Sequence, residues 1–138
     1  MRDRLFLHVA WTTRERVPLI DARIAKFLQR FLYAVAQQER ARIIVFGAVR
    51  THLHLLIRVH PTTSIPRLIQ RLKGGSSVLA NREGHAVLKE LKWAKGYNVE
   101  SVSPLSVERV IHYIQTQAEH HPREAIAGWT PAVALRDS

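Results

Sequence analysis

His52-Leu53-His54-Leu55-Leu56-Ile57-Arg58-Val59 is the stretch that decides the fold. Successive side chains of a β-strand point to opposite faces. Leu53, Leu55, Ile57 and Val59 therefore share one face, and His52, His54, Leu56 and Arg58 share the other. A strand with one wholly apolar face calls for a sheet covered by helices on that side. On the mixed face the Cα atoms of His52 and His54 stand roughly 6.5–7 Å apart, from the strand rise. Two imidazoles of that reach can converge on one ion, and neutral imidazole is a common ligand for divalent metals. The pattern is short, however, and two surface histidines on a half-exposed strand read the same way.

Working outward, Arg50 and Thr51 make a tight connection back to a second strand, Ile43 to Val49, rich in β-branched residues. Before it, Asp21 caps a long helix with Ile24, Phe27, Leu28, Phe31 and Val35 at helical spacing. A first strand runs from Leu5 to Thr12. After the histidine strand, Ser64 caps a second helix with Ile65, Leu68, Ile69 and Leu72 inward, and Gly74-Gly75 is expected to weaken or bend it. Gly96 precedes a short fourth strand near Tyr97 to Val102. Pro104 and Ser106 open a last helix running to about His121, with Pro122 after it. Without that last helix the order is β-α-β-β-α-β, which predicts an α+β, ferredoxin-like antiparallel sheet with an added C-terminal helix.

The last helix carries an apolar stripe of Val107, Val110, Ile111, Ile114 and Ala118, with Tyr113 and Gln117 neighbours on its shoulder. A tyrosine there is ordinarily a packing residue with its hydroxyl in water. A glutamine oxygen can also bind a hard cation, and from this position it would hold one close to the phenol. A metal offsets charge developing on a phosphate, and a phenol can attack phosphorus and become covalently attached. With a reference pKa of about 10, a phenol needs a base or nearby positive charge to do so. His120 further along the same flank could assist. His8 is a candidate by position, since the first and third strands are neighbours in this fold, although a satisfied sheet-face histidine explains it as well. Tyr33 sits in the first helix, where packing accounts for it.

Lys and Arg number 21 against 11 Asp and Glu, for a formal net charge of +10. Such a surface attracts polyanions, nucleic acid foremost. Arg67, Arg71 and Lys73 on the second helix, Lys92 and Lys95 before the fourth strand, and Tyr97 as a base-stacking ring are the candidate DNA contacts. With no cysteine, disulfides, thiolate nucleophiles and Cys-based zinc sites are excluded. No apolar run approaches the roughly 18 residues of a membrane span, so neither a membrane nor a membrane partner is expected. The reading is a cytoplasmic protein of one domain over residues 1–138, with a core of about 5–121 and a tail of 122–138.

Taken together, His52-Leu53-His54 with Leu55-Leu56-Ile57, then Leu72-Lys73-Gly74-Gly75-Ser76-Ser77, then Trp93 with Gly96-Tyr97, then Val110 to Gln117 resemble the single-tyrosine transposases. These are the insertion-sequence group of the HUH (His-hydrophobic-His) endonucleases, close to the REP-associated tyrosine transposases. The opening His8-Val9-Ala10-Trp11-Thr12-Thr13-Arg14 and the following Arg16-Val17-Pro18-Leu19 fit as well, so the resemblance spans residues 5 to 121. It implies a homodimer acting on single-stranded DNA, with hairpin ends as substrate. His52, His54 and Gln117 would bind Mg²⁺ or Mn²⁺, and Tyr113 would form a 5′-phosphotyrosine and release a free 3′-hydroxyl. Thr51 stands where the family often has Asn. The alternatives are a non-catalytic, domesticated hairpin- or nucleic-acid-binding module of the same fold, which leaves His52, His54 and Gln117 without purpose, and a metal-dependent nuclease using water, in which Tyr113 would be dispensable. No Gly-x-Ser-x-Gly occurs, and Lys73 precedes the glycines rather than following them as in a P-loop.

Overall fold

A computed structural model describes residues 5–136; Met1–Arg4 and Asp137–Ser138, the ends of the expected domain, lie outside the described residues. The chain runs through β1 (Leu5–Thr12), a 3₁₀ turn (Arg14–Arg16), α1 (Ala22–Gln38), β2 (Ala41–Val49), β3 (His52–Val59), α2 (Ile65–Arg82) and β4 (Asn98–Val102). It then continues through a second 3₁₀ turn, α3 (Val107–Gln115), α4 (Gln117–His120) and a last 3₁₀ turn (Pro122–Glu124). The four strands lie in the order β2-β3-β1-β4, with every neighbouring pair antiparallel. This is the ferredoxin-like arrangement that the βαββαβ order predicted. Among the described residues no helix is long and apolar enough to cross a membrane.

Both expected caps form. Asp21 accepts from the Ile24 N–H at 2.9 Å and Ser64 from the Arg67 N–H at 3.3 Å. Each such cap stabilises a helix end by about 1 kcal/mol. The apolar stripes of α1 and α2 close over one face of the sheet. Ile24, Leu28, Leu32, Leu68, Ile69 and Leu72 bury there against Val9, Trp11, Leu53, Leu55 and Ile57. The alternation read from the histidine strand is thus the one that packs.

Two expectations about helices change. Gly74-Gly75 does not interrupt α2, which is helical from Ile65 to Arg82. A side chain at Gly75 would come within 2.7 Å of the Phe31 ring, so this glycine sets how closely α1 and α2 approach. The last helix, expected to run unbroken to about His121, stops at Gln115 and restarts at Gln117. Thr116, at φ −107° and ψ 25°, is the break, and its hydroxyl donates back to the His112 carbonyl at 2.8 Å. In a continuous helix the Tyr113 carbonyl would accept from the backbone N–H of Gln117. Here it accepts from the Gln117 side-chain amide instead, at 2.9 Å.

The second face of the sheet is only half covered. Phe6, Ile44, Val45 and Leu56 meet Ile111 and Ile114 of α3 and Ala134 of the C-terminal tail in a smaller apolar cluster. A register shift between Ile43 and Val45 makes Ile44 the extra residue of a β-bulge. The bulge turns Ile44 and Val45 to this same face. It leaves the Ile44 carbonyl outside the ladder, where the Leu135 N–H donates to it at 2.8 Å. α3 lies directly on β2, because a Cβ at Gly47 would stand 2.1 Å from the Ile114 carbonyl oxygen. Backbone cannot yield as a flexible side chain can. Gly47→Ala is therefore expected to lower stability by about 1–3 kcal/mol in urea unfolding, while Gly74→Ala, which meets nothing within 4 Å, leaves it unchanged or raises it.

Candidate active site

Across the uncovered half of that second face, one row of paired residues reads Gly47, His54, Ala10 and Asn98. His54 thus stands between two residues that have little or no side chain. Beside it His52 pairs with Val49 and Thr12. The small neighbours leave a cleft of about 200 Å³ lined by Ala10, Thr12, Arg16, His52, His54, Asn98, Tyr113 and His121. α3 crosses β2 at Gly47 and so brings its C-terminal end to the rim of this cleft.

The structure brings together the four residues that the sequence singled out for chemistry. The rings of His52 and His54 lie 5.4 Å apart, edge to face. Tyr113 stands over them, its ring 5.5 Å from His54 and 6.0 Å from His8. It is 39% exposed. Gln117, its neighbour on the helix shoulder, is buried, with 1% exposure. The helix break turns it inward, and with its amide N–H donating to the Tyr113 carbonyl its oxygen faces His52 Nε2 at 3.3 Å. Cis ligands on an octahedral ion with bonds of about 2.1 Å stand about 3 Å apart, so this pair of donors suits a small divalent cation. Among the described residues no three His, Cys, Asp or Glu side chains gather into a metal group, and the third donor here is an amide.

Several neighbours were not singled out, or only in passing. His8 Nε2 and His54 Nδ1 are 2.8 Å apart, so His8 engages the ring nitrogen of His54 on the sheet. His120 lies 5.2 Å from the Tyr113 ring and His121 4.9 Å from the His52 ring. Arg16 lines the cleft from a turn in which Glu15 and Arg16 both hold positive φ, 54° and 55°. Left-handed backbone costs a residue with a side chain roughly 1–2 kcal/mol, and such strain gathers at functional sites. The sequence signal for Arg16 was faint, an arginine in an irregular segment after a strand that ends at the cleft. Asn98 became visible only through its register opposite Ala10.

The six candidate DNA contacts do not assemble around this cleft. Arg67 and Arg71 lie on the helix-covered side and pair with Glu39, at 2.9 and 2.7 Å, Arg71 also reaching Gln38 at 2.6 Å. Those partners, Arg71 foremost, hold the Glu39 carboxyl below its ordinary range. Lys73 donates to the carbonyls of Ala94 and Gly96, both at 2.8 Å, and burial lowers its pKa. It fastens the loop that leads into β4. Lys92 is exposed and stands 3.9 Å from Glu90, Lys95 is exposed, and Tyr97 is 45% exposed before the edge strand. Trp93 packs edge-on against Trp11 and donates to Ser76 Oγ at 3.0 Å.

Comparison with known proteins bears on this geometry. The family model described as "Transposase IS200 like" matches residues 2–117, from before β1 to Gln117. The ISDra2 transposase TnpA of Deinococcus radiodurans is 25% identical over 122 residues, covering 83% of this chain and 84% of that protein. Among solved structures, a Deinococcus radiodurans R1 protein described as a transposase superposes with a TM-score of 0.64 at 23% identity, over 92% of this chain and 95% of the other. A REP-associated tyrosine transposase bound to a REP hairpin superposes with a TM-score of 0.67 at 13% identity, over 88% and 72%.

Burial disfavours the charged forms of His8, His52 and His54. Burial lowers His54 most, to about 3, with His8, His52 and His121 adding repulsion. Burial also lowers His52, with Gln117 and Glu124 opposing it, and lowers His8 against the pull of Glu100. Neutral imidazole is the ligand form. A histidine depressed in the fold and ordinary in the unfolded chain gives the unfolded state more protons between the two pKa values. Stability is therefore fully present above about pH 6.5 and is lost as pH falls toward about 3. In metal-free protein the thermal midpoint is expected to drop between pH 6.5 and 4, and His54→Asn to flatten that slope. Equal slopes in the two proteins would contradict this.

Proposed function

The chain belongs to the IS200-like transposase family, and from that membership we propose that it cuts and rejoins single-stranded DNA through Tyr113. The observation that carries the reading is the Gln117 side chain, which touches the Tyr113 carbonyl with one end and faces His52 Nε2 with the other. One residue thereby ties the candidate nucleophile to the candidate metal ligands. His52, His54 and Gln117 would hold Mg²⁺ or Mn²⁺, two nitrogens and one oxygen in a donor set that suits both. When bound, the ion supplies positive charge against the scissile phosphate.

The chain's own groups carry the rest. The Tyr113 oxygen forms a bond to phosphorus as the bond from phosphorus to the 3′ oxygen breaks, leaving a 5′-phosphotyrosine and a 3′-hydroxyl. The phenol proton must leave as that bond forms. His120, whose ring lies 5.2 Å from that of Tyr113, is the group proposed to take it. Arg16 at the cleft rim is in place to bind the phosphate oxygens. Attack by the 3′-hydroxyl on the phosphotyrosine reverses the step and rejoins strands, with no external energy source. The substrate proposed is hairpin-forming single-stranded DNA, the kind of ligand held by the REP-associated relative. A cytoplasmic homodimer of one transposase domain per chain is the assembly proposed.

The test uses hairpin single strands from DNA flanking the gene, labelled at either the 5′ or the 3′ end, with Mn²⁺ or Mg²⁺. Only the 3′-labelled strand is expected to migrate with the protein on a denaturing gel, with chelator, Tyr113→Phe and His54→Ala each abolishing the adduct. Arg16→Ala is expected to slow cleavage by about 10²–10³-fold, the usual cost of losing one positioned donor to transition-state charge. Equal cutting by Tyr113→Phe would make water the nucleophile and end the transposase mechanism proposed here.

A further inference from the structure

His52 has a second side. Its Nδ1 lies 3.0 Å from the hydroxyl oxygen of Thr51, and that hydroxyl donates to the Glu124 carboxylate. Glu124 arrives from the last 3₁₀ turn, beyond the residues that the family model matches. Its backbone carbonyl accepts from the Arg50 N–H at 2.8 Å, which docks the turn on the β2–β3 connection. The other carboxylate oxygen faces His121 Nδ1 at 3.7 Å. Thr51 is 5% exposed and His52 8%, so water does not compete freely for these groups.

The protons along this chain can be counted. A carboxylate only accepts, and a hydroxyl has one proton. With that proton given to Glu124, the Thr51 oxygen is left to accept, and the proton it accepts is on His52 Nδ1. A neutral imidazole carries one N–H, so His52 Nε2 must hold a lone pair. That lone pair faces the Gln117 oxygen, whose own amide protons are turned toward the Tyr113 carbonyl. On this count two acceptors face each other across the 3.3 Å between His52 Nε2 and the Gln117 oxygen. In a buried site that is unfavourable unless a cation joins them.

We propose that Thr51 and Glu124 are positioning residues that fix His52 in its Nδ1–H tautomer and so aim the Nε2 lone pair at the slot shared with Gln117. Fixing a ligand imidazole through its other ring nitrogen is the general way in which a second layer of residues tunes a metal site. The metal in this argument rests on the function proposed above. The tautomer does not, and it can be read without metal.

The experiment takes the full chain labelled with ¹⁵N-histidine, metal-free at pH 7.5, and reads ring nitrogen shifts and long-range proton couplings. His52 is assigned by the signal missing in His52→Asn. Wild type and Thr51→Ser are expected to show His52 protonated at Nδ1. Thr51→Val removes the acceptor, and Glu124→Ala frees the hydroxyl to donate to Nδ1. Both are expected to move the proton to Nε2, where it bonds to Gln117. Mn²⁺ affinity, from the free-ion electron paramagnetic resonance signal, is expected to fall about 10–100-fold in Thr51→Val and to be kept in Thr51→Ser. A wild-type His52 protonated at Nε2, or a tautomer or Mn²⁺ affinity indifferent to Thr51→Val, overturns the proposal. A wild type with the stated tautomer that takes up no Mn²⁺ would instead count against the metal site of the function proposed, leaving the positioning intact.

Discussion

The amide of Gln117 is the contact on which the site depends. A buried amide left unsatisfied costs about 1–3 kcal/mol, and the groups that its two ends meet belong to different elements. The N–H end takes the carbonyl of Tyr113 on α3, and the oxygen faces His52 on β3. That arrangement requires the helix to stop. A backbone continuing through Thr116 would satisfy the Tyr113 carbonyl by itself and leave Gln117 on an exposed flank. The break at Thr116 is therefore what turns a surface residue into a link between the tyrosine and the histidine pair.

The rest of the molecule makes room for that link. Gly47 lets α3 lie against β2 backbone to backbone. The bulge at Ile44 gives the second face enough apolar surface to hold α3, and the tail closes over the same cluster through Ala134 and the Leu135 hydrogen bond. The pair between Arg136 and Glu108, 2.9 Å and exposed, ties the tail to α3 but contributes little by itself. β2 is consequently covered on both faces while β1 and β3 are covered on one only where the cleft lies. In this chain the helix that carries Tyr113 packs on its own sheet.

Much of this was legible in the sequence because it follows from periodicity. The alternation in His52 to Val59 gave the buried face, the helical spacing gave α1 and α2, and Asp21 and Ser64 sit where caps were expected. His52, His54, Tyr113 and Gln117 are brought to one cleft. What periodicity could not reveal was local backbone chemistry. Gly74-Gly75 looked like a weak point, yet at Gly75 the missing side chain serves a helix contact. The stop at Thr116 is a competition between a side-chain amide and a backbone N–H for one carbonyl, and no spacing rule registers it. The strand residues Ala10 and Asn98 gain meaning only from register. The basic residues of α2 illustrate the opposite limit, because net charge says that cations are present but not that Glu39 and two loop carbonyls already hold three of them.

The chemistry of the cleft also bears on why its donors are neutral. His52 and His54 are kept uncharged by burial, and Gln117 has no charge to lose. A divalent ion held by two imidazoles and an amide would keep its full positive charge, whereas carboxylate ligands would cancel part of it. In a chain of net charge +10, with Arg16 at the rim, that undiminished charge would add to a field that already favours a phosphate backbone. Glu124, the carboxylate beside Thr51, faces Thr51 and His121 rather than the slot itself. Its negative charge is thereby spent on orienting an imidazole at a remove. The arrangement separates two requirements that a carboxylate ligand would set against each other, holding the cation firmly and leaving it attractive to an anion.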